Sequence, residues 1–393
     1  MEINTDKEKI NALLTRGVDE VIDKKDLGQK LLSGKQLRIK LGIDPTSPNI
    51  HLGRSIPLLK LRDFQELGHQ IVLIIGDFTG TIGDTSDKES ERPMLDEKTV
   101  QDNLETYIKQ AGKIIDIDKT EVRYNSEWLD ELKYKEICYQ ADHFSLNEFM
   151  SRENIKKRYD AGKRISLREL FYPLMQGYDS VAIKADVEIG GTDQRFNILA
   201  GRTLQKHYDQ KQQNIITNPL IEGLDGRKMS SSWGNTVNLF DKPNDMYGKI
   251  MSLGDEFIIK YFVFLTRLPV AEIEKYEKEM EGGANPRDHK MKLAYETVCF
   301  YHSQKEAEQA QEFFINTFSK KEIPDEMPEI KPTAYDIVTV LLESKCVTSK
   351  TDARRVISQG GVKINQQVVE NTEHQVEPGD ILQKGKRVFV KVV

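Results

Sequence analysis

Tyr172, Gln176 and Asp179 fall at i, i+4 and i+7 within YPLMQGYDSVAIKADVEIGGTDQ, so a helix would carry all three on one face. Leu170, Phe171, Leu174 and Met175 make the same segment largely apolar. Three inward-facing hydrogen-bonding groups are costly to bury without partners, and a bound ligand would supply them. The segment ends in Gly190-Gly191, read as a turn where a ligand could meet the backbone, followed by the acceptor Asp193 and the donor Gln194. Asp84, in IIGDFTGTIGDTSDK, could pair with an ammonium.

Two further elements suit phosphate chemistry. HLGR at 51–54, preceded by Asp44-Pro45-Thr46, sits where a strand gives way to a helix. The free N–H groups and partial positive charge of a helix start attract phosphate. Gly53 lets a nucleotide approach the backbone, and His51 could donate to a phosphoryl oxygen as charge develops there. Lys228 opens KMSSS after the turn LDGR. A lysine on a mobile loop suits charge that appears only during reaction, such as a leaving pyrophosphate. Each element alone also has a plainer reading: a polar helix face, a tight turn, a strand-to-helix turn, a solvated loop. Their occurrence together and in this order favours a site.

The elements that must position these groups follow from the apolar pattern. Residues 5–33 read as two short amphipathic helices, with Leu13, Leu14, Val18, Val21 and Ile22 as the stripe. LRIKLGIDP reads as a strand, HLGRSIPLLKLRDFQELGH as a helix closed by Gly68, and IVLIIGDF as a strand buried on both faces. Strand, helix and strand at this spacing form a βαβ unit. Residues 95–180 read as mainly helical, strand-like runs return at 180–189 and 214–222, and 235–320 is again helical. An acidic linker with Pro324, Pro328 and Pro332 marks a boundary. Beyond it come a helix at 335–344, a second helix opened by Thr348 or Ser349, and strands around GGVKINQQVV and GKRVFVKVV. In that tail Lys and Arg outnumber Asp and Glu, although the whole chain has a net charge of −6.

The expected fold is therefore α/β. A Rossmann-type parallel-sheet domain (1–234, with a helical insertion at about 95–180) precedes a helical domain (235–322) and a small α+β domain (333–393). A length of 393 residues accommodates two or three domains, and 31% charged residues of mixed sign argue against disorder. An acidic balance excludes a protein coated with positive charge but allows a local basic face. Cys138, Cys299 and Cys346 are scattered, without metal or disulfide spacing, which fits a reducing cytosol. The charged start MEINTDKEKINALLTRG has no signal-peptide core, and no apolar run reaches membrane-spanning length.

HLGR resembles the HIGH signature and KMSSS the KMSKS signature of class I aminoacyl-tRNA synthetases. Their order with YxxxQxxD and GGxDQ resembles, within that class, the bacterial-type tyrosyl-tRNA synthetases. The resemblance implies a ligase that joins tyrosine to ATP and passes the tyrosyl group to tRNA(Tyr), with Mg2+ accompanying ATP. It implies that Asp179 accepts from the phenol, with Asn125 behind it. Tyr172, Gln176 and Asp84 would hold the α-ammonium, with Gln194 near the carboxylate. Gly53, Gly191 and Asp193 would face the ribose, with Asp44 beside the adenylate, and His51 and Lys228 would stabilise the transition state. The tail resembles a ribosomal-protein-type RNA-binding module, in which Lys350, Arg354, Arg355, Lys384, Lys386 and Arg387 would meet tRNA phosphates. A cytoplasmic homodimer, joined through the helical insertion, is also implied.

Three departures stand out. Arg54 replaces the last histidine of HIGH, and Ser231 replaces the second lysine of KMSKS. Lys40 stands where some relatives carry a tyrosine that contacts the phenol. Three other readings compete: a tryptophanyl-tRNA synthetase of the same fold, a catalytically silent RNA-binding relative, and another adenylylating enzyme acting on a small acid.

Overall fold

The computed structural model describes residues 3–86, 94–319, 327–385 and 388–393. The chain divides into two compact units, residues 1–304 and 305–393.

The first unit is built on six strands: β1 (Glu20–Ile22), β2 (Arg38–Ile43), β3 (Gln70–Ile75), β4 (Thr120–Tyr124), β5 (Val187–Gly191) and β6 (Asn214–Asn218). Their order is β1-β6-β5-β2-β3-β4. All pairs are parallel except β1 with β6. From β2 the chain winds outward through β3 to β4, then returns to lay β5 and β6 on the other side. That reversal is a topological switch point, and it opens a crevice beyond the carboxyl ends of β2 and β5. β3 is buried along almost its whole length because helices cover both faces, which is why its sequence is continuously apolar.

Two helices border the crevice. Leu52–Glu66 starts at His51, whose side chain accepts from the Arg54 backbone N–H and so caps the first turn. Leu167–Ala182 starts with a reciprocal capping box between Ser166 and Glu169. Its Gly177 allows close packing on the Arg195–His207 helix, since a Cβ there would lie 3.0 Å from the Ala200 carbonyl carbon.

Several local expectations are corrected. Residues 5–33 form helices Lys7–Thr15 and Lys24–Leu32, but Val21 and Ile22 belong to β1 between them. Such a short pair becomes strand only because β6 offers its edge. The stretch 95–180 is mainly helical, as read, but it also contains the edge strand β4, which the helical spacing hid. The run at 180–189 stays helical to Ala182, and β5 begins only at Val187. Gly190 and Gly191 are the end of β5, not a turn, and the turn is the short 3-10 segment Thr192–Gln194.

The second unit contains helices Ile337–Glu343 and Lys350–Ser358. Its sheet has the order β7-β11-β10-β8-β9, from β7 (Glu329–Ile330), β8 (Val362–Ile364), β9 (Gln367–Val368), β10 (Ile381–Lys384) and β11 (Val388–Val392). Its core is apolar, with Ile337, Leu341, Ala353, Ile357, Leu382 and Val392 fully buried. The expected helix opened by Ser349 is present with that cap. β7, within the linker, and β10 were not foreseen.

Candidate active site

The switch-point crevice holds a cavity of about 250 Å3. Its wall brings together Asp44, His51, Gly53, Asp84, Asn125, Tyr172, Gln176, Asp179, Gly191, Asp193, Gln194 and Lys228, residues that span much of the first unit. Their convergence follows from topology: Asp44, Asn125 and Gly191 stand at or just past strand ends, His51 and Gly53 at a helix start, Tyr172, Gln176 and Asp179 on one face of the Leu167–Ala182 helix, and Asp84 and Lys228 on loops that reach the same crevice.

The deep end is a buried carboxylate. Asp179 is 3% exposed. Its Oδ1 accepts from the Trp128 indole Nε1 at 2.8 Å, and its Oδ2 lies 3.5 Å from Asn125 Nδ2. Burial pushes this carboxyl up to about 7, opposed mainly by the positive charge of Lys40 and the indole N–H. Lys40 itself is fully buried and forms an ion pair with Glu188 at 2.9 Å. Asp179 is thus met by Asn125, as the resemblance implies, and more closely by Trp128, which the sequence did not single out.

A second network lies in the middle. Tyr172 donates to Asp44 Oδ2 at 2.7 Å, and Thr79 donates to Asp44 Oδ1 at 2.7 Å. Asn125 Nδ2 donates in turn to Thr79 Oγ1 at 2.9 Å. Burial and then the Asp44 charge raise the Tyr172 phenol well above its usual range, so it remains a neutral donor. Gly76 is obligatory here, because a Cβ would collide with the Asp44 carboxylate. Beside this network Gln194 Nε2 donates to Asp84 Oδ2 at 2.7 Å, and Asn197 Nδ2 donates to Gln194 Oε1 at 3.1 Å. These carboxylates give the middle of the cavity a negative character suited to an ammonium.

The mouth has the opposite character. His51 Nδ1 accepts from the Arg54 N–H at 3.3 Å, so the neutral ring carries its proton on Nε2. The Arg54 guanidinium also lines the cavity, donating to Tyr107 Oη at 2.8 Å and Thr46 Oγ1 at 3.2 Å. Lys228 pairs with Asp193 at 3.0 Å. Its loop is fastened on both sides: the Gly53 N–H meets Met229 Sδ at 3.3 Å, and Ser230 N–H donates to Asn235 Oδ1 at 2.8 Å. HLGR and KMSSS, far apart in sequence, are therefore in direct contact. With a helix start and two cations at one end and buried acceptors at the other, the cavity can take an anionic phosphate chain beside a small cationic molecule with a hydrogen-bonding tip.

The basic tail residues lie in the second unit. Lys350, Arg354 and Arg355 are exposed on one helix, with Arg355 paired to Asp352 at 2.5 Å. Lys384 is half-buried and donates to the Cys346 carbonyl. Lys386 and Arg387 lie outside the described residues.

Residues 32–319 match the family of class I tRNA synthetases for W and Y, and residues 337–382 match the S4 domain. The chain is 46% identical over 385 residues to a tyrosine–tRNA ligase of Thermotoga maritima, covering 97% of this chain and 96% of the relative. It is also 46% identical over 393 residues to that of Shewanella oneidensis, covering 98% and 99%. Among solved structures, the fold is similar to an Archaeoglobus fulgidus tyrosyl-tRNA synthetase complexed with L-tyrosine. There the TM-score is 0.61 at 22% identity, over 77% of this chain and 99% of that one. A truncated Aspergillus nidulans mitochondrial tyrosyl-tRNA synthetase gives a TM-score of 0.65 at 23% identity, over 78% and 93%.

Proposed function

We infer, for a chain that belongs to the class I tRNA synthetases of the W and Y group, that it is a tyrosine–tRNA ligase. The tyrosine carboxylate attacks the α-phosphorus of ATP, forming the acyl–phosphate bond as the bond to pyrophosphate breaks. A hydroxyl of the 3′-terminal adenosine of tRNA then attacks the tyrosyl carbonyl, and AMP leaves. The carboxylate is already ionised at neutral pH, so the first step needs no general base. The work of the protein is positioning and charge stabilisation.

The single observation that carries this reading is the polarity of the cavity. A carboxylate held by Trp128 and Asn125 lies at the closed end, and His51, Arg54 and Lys228 stand at the mouth. A tyrosine placed with its phenol at Asp179 would set its ammonium among Tyr172, Gln176 and Asp84, with Gln194 near its carboxylate. Its carboxylate would then face a triphosphate at the mouth. Gly53, Gly191 and Asp193 would border the ribose, and Asp44 the adenylate. Mg2+ would enter with ATP and leave with pyrophosphate, neutralising charge on the phosphates. The tryptophan-activating and catalytically silent alternatives are not favoured, since the full-length relatives are tyrosine–tRNA ligases. Tyrosine-dependent exchange of pyrophosphate into ATP tests the reading. Exchange with tyrosine and Mg2+, but not with tryptophan or phenylalanine, is the expected outcome, and exchange driven by tryptophan would sink it.

The tail domain would hold tRNA through Lys350, Arg354 and Arg355, and Lys384, Lys386 and Arg387 are proposed as further phosphate contacts. Removing residues 333–393 is expected to leave pyrophosphate exchange within about twofold while lowering tRNA charging by about a hundredfold or more. Unchanged charging would mean that the tail is not the RNA anchor. The insertion exposes Tyr134 (84%), Leu146 (63%), Tyr159 (64%) and Leu167 (72%), an apolar set of the kind a partner covers. A homodimer through this face is the corresponding proposal, and a monomer in sedimentation at micromolar concentration would count against it. A cytoplasmic location fits a substrate set of tRNA and ATP. No helix among the described residues is long and apolar enough to cross a membrane.

A further inference from the structure

Lys40 on β2 and Glu188 on β5 are direct neighbours across the switch point, and both are essentially inaccessible to solvent. The ammonium has three donors, and three acceptors meet it. These are Glu188 Oε1 at 2.9 Å, the Gln176 carbonyl at 2.8 Å and Ser180 Oγ at 2.8 Å. Glu188 is equally occupied. Its Oε1 also accepts from Gln176 Nε2 at 3.2 Å, and its Oε2 accepts from Ser180 Oγ at 3.0 Å and from Gln213 Nε2. A buried ion pair is seldom needed for stability, because apolar residues of similar volume are generally at least as stabilising. The bonds of this pair point to a different use.

Gln176 lines the cavity and is gripped at two places, its backbone carbonyl by Lys40 and its side-chain amide by Glu188. A carboxylate only accepts hydrogen bonds, so the amide must turn its NH2 toward Glu188. Its oxygen is then the end available to a donor. We propose that the buried Lys40–Glu188 pair is the positioning device of the amino-acid subsite, fixing the Gln176 amide with its oxygen presented to the substrate's α-ammonium. The proposal rests on the reading of the cavity as a tyrosine site. It also gives Lys40 a role in place of a phenol contact: it secures the wall that meets the ammonium.

Three forms of the full-length enzyme test this by steady-state pyrophosphate exchange, with folding checked by thermal melting. Lys40→Met with Glu188→Gln removes both charges of the pair and conserves volume. Because Lys40 also favours the Asp179 carboxylate, the tyrosine KM is read as a function of pH, and the part due to Asp179 fades as pH rises while the part due to Gln176 persists. The tyrosine KM is expected to rise about tenfold, with kcat and the KM for ATP within about twofold of wild type. Lys40→Glu with Glu188→Lys keeps the ion pair but reverses it. The amide oxygen would then turn to the new ammonium and the NH2 would face the substrate. A tyrosine KM at least as high as that of the neutral variant is expected. A merely structural pair would be rescued by this exchange. A tyrosine KM within about twofold of wild type in either folded double variant would overturn the proposal. Should the reversed variant fail to fold, the neutral one decides. Wild-type enzyme without tyrosine-dependent exchange would instead refute the tyrosine reading itself.

Discussion

Asp179→Ala is expected to lower kcat/KM for tyrosine by about a hundredfold or more while leaving the KM for ATP within about twofold. The reason is burial. Asp179 lies at the closed end of the cavity with Trp128 Nε1 2.8 Å from Oδ1. Its remaining acceptor capacity is directed where water has little access, and a phenol would satisfy it. Phenylalanine would leave that capacity unmet, so discrimination between the two substrates should fall with the carboxylate. Unchanged tyrosine kinetics in Asp179→Ala would remove the assignment. A pH effect accompanies it. Burial raises this carboxyl from 3.8 to about 7. The native protein therefore holds a proton that the unfolded chain has already lost, and stability from this group falls as pH rises between those values. Asp179→Asn removes the titration and keeps an acceptor for Trp128. In the absence of tyrosine its melting temperature above pH 7 should exceed that of wild type. The wild-type tyrosine KM should fall as pH rises through 7, and the Asp179→Asn profile should be flat across the same interval.

Lys228→Ala should lower the rate of tyrosine activation by about a hundredfold to a thousandfold, with the tyrosine KM within about twofold. The separation follows from position. Lys228 is partly exposed and paired with Asp193 at 3.0 Å, while Asp179 and Tyr172, the proposed phenol and ammonium contacts, are buried. In the proposed role its charge would act where negative charge gathers on the departing pyrophosphate, and a contact made only in the transition state appears in kcat. Ser231 brings no second cation to this loop, so removal of Lys228 should be felt strongly. Arg54 remains in the cavity lining, fixed by Tyr107 and Thr46, and so some residual rate is expected. A wild-type rate, or a loss confined to the tyrosine KM, would count against this role.

Much of the candidate site's local geometry was legible in the sequence. The helical spacing of Tyr172, Gln176 and Asp179 survived intact, because one capped helix with an apolar face carries all three. HLGR was legible as a helix start, since a buried strand precedes it and an amphipathic run follows. Other parts were misread where local signals were ambiguous. Gly190-Gly191 signals a turn equally well as a strand end that must pass close to Ile198. β4 is a five-residue strand inside a stretch dominated by helical spacing, and it exists because the edge of β3 is available.

Sequence by itself determined the chemistry on offer: which acids, amides and cations exist, which share a helix face, and the order in which strands deliver them. Only the tertiary structure decided which donor meets which acceptor. Lys40 and Glu188 illustrate the division. A lysine in LRIKLGI and a glutamate in ADVEI, both in runs read as strands, carry charges that need a partner once buried, yet nothing local identified it. The choice was made when β5 returned to lie beside β2, and it set Lys40 against Glu188 with Gln176 above them. Trp128 reached Asp179 in the same way, from the short helix Ser126–Leu129 after β4 to the Leu167–Ala182 helix. The physical reason is one of range. Hydrophobic periodicity acts over a few residues and can be read along the chain, whereas a hydrogen bond depends on tenths of an ångström between groups that only the closed fold brings together.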